Sequence, residues 1–332
     1  MTILSKRDLK LDDINYNGVK YPLFRKNQTE KSVIYRMQQL AIIGPTASGK
    51  SDLALKAAQK LNAYILSIDS LSIYKEIDIV SAKPSPQELS LVKHFGINTL
   101  YPNEYFSVEI FIQLYKEVLL TCKQENKNLI IVGGSSFYLK SLLDGLSTLP
   151  IISPEIQTKV RTTLEKNLIQ NYQKLQTIDP LYMQKIASTD RYRIEKALLI
   201  YEASGMTPTQ WFTHHPPQPI IKNLPIYNID ISRDLLRERI AQRTDKMYEM
   251  GLIDEVCYLE HKYSRLPNAM GAIGIVEVLQ YLDGKVTKKE MLQNITTHTA
   301  QLAKRQQTFN KTQFHTIKSA SLKDLESIIL KR

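Results

Sequence analysis

The chain has 332 residues, 43% of them hydrophobic and 23% charged, which are the proportions of a globular protein with one large or two smaller domains. Its net charge of +11 favours a polyanionic partner or an anionic substrate. No apolar run approaches the roughly 20 residues of a membrane span; Met1–Lys10 lacks a secretory apolar stretch; and Cys122 and Cys257 form no CxxC pattern for a metal or disulfide, so a cytoplasmic chain is expected.

In chain order, Met1 to Gln38 is polar, interrupted by Asn15, Asn17, Gly18 and Pro22, and reads as a loosely ordered extension with Met37 a candidate start. Leu40 to Ile43 is a short apolar run ending in glycine, the pattern of a buried parallel strand. Lys50 to Leu61 spaces Leu53, Ala54, Ala57, Ala58 and Leu61 as a helix does. Tyr64 to Ile68 is a second strand ending at Asp69, Ser107 to Cys122 a helix, and Leu129 to Val132 a buried strand closed by Gly133-Gly134. Strands alternating with helices predict an α/β fold with a mostly parallel sheet. From Pro154 to about Trp211 only helical stretches occur, broken at Asp179-Pro180 and Ser204-Gly205. Pro208, Pro216, Pro217 and Pro219 then read as a linker that also holds His214-His215. Ile226 to Ile231 is a strand again, and Ser232 caps a helix starting at Arg233. The expected organisation is a three-layer core over 39–149 and 222–332, interrupted by a helical insertion over 150–221 and preceded by the extension 1–38.

Gly44-Pro45-Thr46-Ala47-Ser48-Gly49-Lys50-Ser51 matches GxxxxGK[ST] and lies between a predicted strand and helix. Glycines let the backbone wrap an anion, the helix N-terminus supplies positive potential, and Lys50 adds a full charge. The Ser51 hydroxyl is the expected ligand of a Mg2+ ion. A nucleotide hydrolase would also carry a metal-holding carboxylate at the end of an apolar strand. Here Leu129 to Val132 ends in glycines, so the motif leaves open phosphoryl transfer or a reaction in which diphosphate departs. Asp69, ending the second strand, is a candidate proton acceptor for either.

The loop, followed by Asp69-Ser70-Leu71-Ser72-Ile73-Tyr74 and Asp78 to Pro84, closely resembles the tRNA dimethylallyltransferases, with their GPTASGK[ST] loop, DSxQ-like block and TAKP. The resemblance runs on through Gly133-Gly134-Ser135-Ser136-Phe137-Tyr138, Arg193 to Leu198, Arg239 to Val256 and Gln301 to Thr308. It implies a bacterial-type enzyme that moves a dimethylallyl group from its diphosphate to N6 of the adenosine beside the anticodon. By the match, Lys50 and Arg243 stabilise the leaving diphosphate, Asp69 takes the amine proton, and Thr46 and Ser135 contact phosphate and substrate. Asp69 to Ser72, Ser135, Tyr192, Arg193, Lys196, Lys304, Arg305, Gln306, Phe309 and Lys311 fall where the family holds the tRNA anticodon stem-loop. The partners implied are that RNA and dimethylallyl diphosphate, with no DNA and no membrane, and a monomeric state.

Several positions depart from the family: Ser135 for threonine, Gly271, Ile275 and Val276 in a block usually reading QAIGYKE, Lys196 and Ala300 for arginines, Phe309 for tryptophan and Gln157 for a basic residue. Most of these subtract groups that would touch RNA, so intact diphosphate chemistry with a different grip on RNA is expected. The rival readings are prenylation of free AMP or ADP, a small-molecule kinase, and an RNA-binding protein without catalysis.

Overall fold

The computed structural model describes residues 37–331, together with an antiparallel strand pair, β1 (Ile14–Tyr16) and β2 (Val19–Tyr21). That pair corrects the sequence reading at those positions. Ile14, Tyr16, Val19 and Tyr21 are β-prone residues at alternate positions, a signal that the breakers between and around them obscure. The rest of the expectation for the extension concerns residues outside those described.

The main sheet is six-stranded and entirely parallel. Its first strand, β3 (Gln39–Ile43), leads through α1 (Lys50–Lys60) to β4 (Ala63–Ser67); α2 (Pro86–Leu91), β5 (His94–Phe95), α3 (Val108–Gln124), β6 (Asn128–Gly133) and α4 (Ser136–Asp144) follow. The chain then leaves the sheet for five helices, α5 (Pro154–Lys166), α6 (Leu168–Ile178), α7 (Pro180–Met183), α8 (Arg191–Ser204) and α9 (Pro208–His214). It returns as β7 (Ile226–Ile229), α10 (Arg233–Glu249), α11 (Leu252–Tyr263), a 3-10 turn at Asn268–Gly271, α12 (Ile275–Leu282), α13 (Lys288–Gln313), β8 (Lys318–Ala320) and α14 (Leu322–Leu330). The spatial order is β5-β4-β6-β3-β7-β8, which puts β3 and its following loop near the middle of the sheet.

Alternation along the strands divides the core. Leu40 and Ile42 of β3, Ile65 of β4 and Ile130 of β6 pack with Leu53, Ala54 and Ala57 of α1 and Leu325 and Ile329 of α14. Ala41, Ile43, Leu66, Leu129 and Ile131 face the other way, onto Phe111, Tyr115 and Val118 of α3 and Leu139 of α4. Successive strand side chains point to opposite faces, so both faces are apolar, as a parallel sheet covered on both sides requires. Each fully buried Ile or Leu contributes roughly 1.5–3 kcal/mol. The inserted helices carry a separate core of Val160, Leu164, Leu175, Met183 and Ile194.

One linker expectation fails. Pro208 begins α9, capped by Thr207 and Gln210 in a reciprocal capping box. Proline suits that first position because its missing N–H would have no helical partner there. His214 and His215 close this helix, each ring Nδ1 lying against a carbonyl one turn back, at 2.8 and 3.0 Å.

Candidate active site

The phosphate-binding loop runs from the end of β3 into α1. Gly49 adopts φ +88°, a left-handed conformation open to glycine, at the point where the loop enters α1. Lys50 Nζ donates to Pro45 O at 3.2 Å, folding the ammonium over the loop. The Ser48 hydroxyl is buried without a partner; the Ser51 hydroxyl is exposed in the first helical turn. A buried hydroxyl with no partner in this loop is free to donate to an anion bound there.

Helix α10 supplies the opposite wall. Arg243 Nη1 donates to Thr46 Oγ1 at 3.1 Å and Arg239 Nη1 to Ser48 O at 3.3 Å. Arg239, Arg243 and Lys246 stand one helical turn apart, so they share a face, and all three line a cavity of about 550 Å³ with the loop, Asp69, Ser72 and Lys83. Burial holds Lys50 down to about 8, opposed by the Asp69 carboxylate and assisted by the Arg243 charge. Burial likewise lowers Arg243, against the pull of Asp69.

Asp69 lies just past β4, at the carboxyl edge of the sheet. Its Oδ1 accepts the Leu71 and Ser72 N–H groups at 2.9 and 3.3 Å, so the turn role is real. Its Oδ2 accepts no hydrogen bond among the described residues. Ser135, at the start of α4, reaches back across the gap, its hydroxyl accepting from Ser70 N and meeting Ser70 Oγ, both at 3.3 Å. Gln306 of α13 projects inward, its Oε1 accepting the Thr46 N–H at 2.8 Å. Its amide sits so close to Gly134 that a Cβ there would lie 2.4 Å from Nε2. At Gly133 a Cβ would meet Ile68 Cγ1 at 2.7 Å. Backbone atoms of Ile68 and Asp69 would also lie 3.0 and 3.1 Å from that Cβ, so close approach favours glycine at this strand end.

A second cavity of about 450 Å³ shares Thr46, Asp69, Ser81 and Arg243 with the first. It opens between Ser70, Leu71, Tyr74, Ser135 and Tyr138 on one side and Asn268, Ala269, Gly271, Ala272, Ile273, Ile295, Thr299 and Gln306 on the other. Burial pushes the Tyr138 hydroxyl up to about 12, so it stays a neutral donor.

The structure thus brings together the loop, Asp69, Ser70, Leu71, Ser72, Ser135, Arg243 and Gln306. It does not bring in the α8 residues, none of which lines either cavity. There Tyr192 is exposed, Lys196 lies over its ring at 5.6 Å, and Arg193 pairs with Asp190. On α13, Lys304, Arg305 and Lys311 are exposed; Phe309 is half-buried and meets Phe314 edge-on at 6.2 Å. Ala300 packs against Leu236 and Ile240 of α10. Sequence reasoning missed Arg239, Lys246 and Lys83. The first two were findable from their spacing around Arg243. Lys83 falls in the matched Asp78 to Pro84 block but carried no assigned role; its side chain is 4% exposed and donates to Tyr74 O and the Asp78 and Asn98 side chains.

Residues 72–313 match the family model described as IPP transferase. The chain is 65% identical over 294 residues to a tRNA dimethylallyltransferase of Sulfurimonas denitrificans, covering 89% of this chain and 99% of that one. It is 56% identical to another of Sulfurovum sp., covering 89% and 98%. Among solved structures it resembles a full-length tRNA isopentenylpyrophosphate transferase of Bacillus halodurans, with TM-score 0.65, 27% identity, and 89% and 95% of the two chains covered. With the family model matching well over half its length, the chain belongs to the tRNA dimethylallyltransferase family.

Proposed function

We propose that the chain transfers the dimethylallyl group of dimethylallyl diphosphate to N6 of the adenosine beside the anticodon, position 37, in tRNA. The observation that carries this reading is Asp69 standing in the common wall of two cavities. One is lined by phosphate-binding groups and the other by hydroxyls and apolar side chains. The diphosphate lies in the loop, with its allylic carbon directed to Asp69, and the acceptor base enters the second cavity.

An N6 amine is a poor nucleophile because its lone pair is delocalised into the ring. As its nitrogen bonds to the allylic carbon, the carbon–oxygen bond breaks and the electron pair leaves with diphosphate; the amine proton passes to Asp69 Oδ2. The leaving oxygen gathers negative charge against Lys50, Arg243 and the loop N–H groups, which are already in place before it develops. Ser51 and the diphosphate oxygens would hold a magnesium ion, which supplies further positive charge there. Among the described residues no group of three or more His, Cys, Asp or Glu offers it another ligand set.

A base stacked in an anticodon loop must swing out to reach Asp69. The helical insertion with Tyr192, Arg193 and Lys196, and the exposed cations of α13, serve to hold the anticodon stem-loop. Among the described residues no helix is long and apolar enough to cross a membrane. The chain works as a monomer in the cytoplasm. Labelled dimethylallyl diphosphate offered to unmodified tRNA, to AMP, and beside ATP with candidate alcohols tests the proposal. Label on tRNA is expected; label on AMP alone, or phosphate transferred from ATP, overturns it.

A further inference from the structure

Phe137 takes no part in the chemistry above, and packing does not account for it either. It stands in the first turn of α4, just past Ser135, with 53% of its surface exposed. Its neighbours on that helix are engaged: Leu139 and Leu142 enter the sheet core, and Tyr138 packs on Phe106 and Phe111 at 5.4 and 5.0 Å. Among the described residues the only ring near Phe137 is that of Tyr138, 6.3 Å away. Helical side chains lean toward the helix N-terminus. Here that end is the Gly134–Ser135 step, and Ser135 and Tyr138, the residues flanking Ser136–Phe137 in sequence, both line the second cavity, so Phe137 stands on the helical turn that forms this wall.

The adjoining surface has the complementary chemistry. Helix α13 packs against α4, and its Gln306 covers Gly134. Outward from Gln306, Lys304 and Arg305 are exposed, and with Gln301, Thr308 and Phe309 they line a shallow groove. Exposed cations beside an unpartnered aromatic face are how proteins hold unpaired nucleotides, the charges on phosphates and the ring on a base.

We infer that Phe137 is a stacking platform for the nucleobase adjoining the acceptor adenosine. When the acceptor swings into the second cavity, its neighbour loses a stacking partner, and the Phe137 ring replaces it. This inference rests on the transferase reading. It adds the site for a second base, which neither Asp69 nor the phosphate loop provides.

The test is a binding cycle without the diphosphate. A fluorescein-labelled, unmodified anticodon stem-loop is titrated with wild type, Phe137→Ala, Phe137→Leu and Phe137→Trp. Two further RNAs carry an abasic ribose 5′ or 3′ of the acceptor. Phe137→Ala is expected to weaken binding of the intact RNA by about 5- to 100-fold, the range of a lost base–aromatic stack. Phe137→Trp keeps wild-type affinity, and Phe137→Leu, apolar but without a π-face, falls short of it. On one of the abasic RNAs, wild type and Phe137→Ala should bind equally, since the base that would stack is gone. An equal alanine penalty on all three RNAs, no penalty on the intact one, or full rescue by leucine overturns the inference. Label transfer from dimethylallyl diphosphate by the wild type is run in parallel. Its absence would remove the transferase reading, whereas the binding cycle judges the platform alone.

Discussion

The two cavities that meet at Asp69 are built on opposite plans. The first is local: its anion cradle is the contiguous stretch Gly44 to Ser51, fixed between a central strand and the helix that strand leads into. The second is assembled from distant pieces, and side-chain struts hold its walls in place. The Glu255 carboxylate of α11 accepts the N–H groups of Asp78, Ile79 and Val80 at 2.8, 2.8 and 2.9 Å, pinning the segment that carries Val80 and Ser81 into the cavity. Glu277, almost fully buried, accepts the Gly274 N–H and pairs with His298 Nδ1, both at 2.6 Å. It thereby ties the 268–274 wall to α13. Substitutions in the first cavity should therefore change chemistry with little change in stability, and substitutions in the second should change stability and RNA grip.

The largest effect tests the shared wall. Asp69→Asn keeps an oxygen to accept from Leu71 and Ser72, so the turn survives while the proton acceptor is lost. A drop in single-turnover transfer of about 10²- to 10⁴-fold is expected, with RNA affinity nearly unchanged. Equal losses in rate and RNA binding would mean that Asp69 works through the turn alone. Next comes Arg243→Ala, which removes a preorganised charge from the leaving oxygen and should cost about 10²- to 10³-fold in rate. An effect confined to RNA affinity would assign Arg243 to the second cavity, whose wall it also joins.

That division also explains what could be read from the sequence. The phosphate loop, Asp69 and the parallel core are legible because each is written in adjacent residues whose geometry is local. Gln306 is not. It lies within Lys304-Arg305-Gln306, which reads as one RNA-facing block, but successive helical residues point about 100° apart. Lys304 and Arg305 therefore face outward while Gln306 reaches the Thr46 N–H. Arg239 and Lys246 share the helical spacing of Arg243, a pattern that a solvated basic face also shows, and α10 lying over the loop decides between them. Helix α9 escapes because proline reads as a breaker, where its position past Thr207 makes it a starter.

The Lys50 ammonium gives the first cavity a pH signature. Burial lowers it to about 8, and a bound diphosphate favours the protonated form, so affinity is full below that value and falls as pH rises through it. The loss should approach about tenfold per pH unit above 8. Competition by inorganic diphosphate measures it, and Lys50→Arg, which keeps its charge, should flatten the profile. A profile unchanged by Lys50→Arg would place the titration on another group. In the second cavity the matching probe is stability. Glu255→Ala leaves three backbone donors without their acceptor and should cost about 1–3 kcal/mol by denaturant unfolding, with affinity for inorganic diphosphate retained.

The smallest effect separates the two RNA-facing surfaces outside the cavities. Lys304 and Arg305 are exposed on α13 and make no ion pair among the described residues, so their charges are available to phosphates. Arg193 on α8 already pairs with Asp190, and an arginine that must give up a carboxylate to meet a phosphate gains less. Replacing Lys304 and Arg305 by glutamine should make the dependence of log affinity on log salt shallower by about 0.7 for each phosphate left unneutralised on a single-stranded loop. Arg193→Gln should change the slope less than either. Affinity for inorganic diphosphate should stay the same in all three variants, because none of these side chains lines the cavity that binds it. A slope that flattens with Arg193→Gln and not with the α13 pair would mean that the RNA backbone runs over the insertion and leaves α13 uncovered. In that geometry no paired phosphates would bring a base to Phe137, so this small slope change bears on which side of Asp69 the substrate approaches.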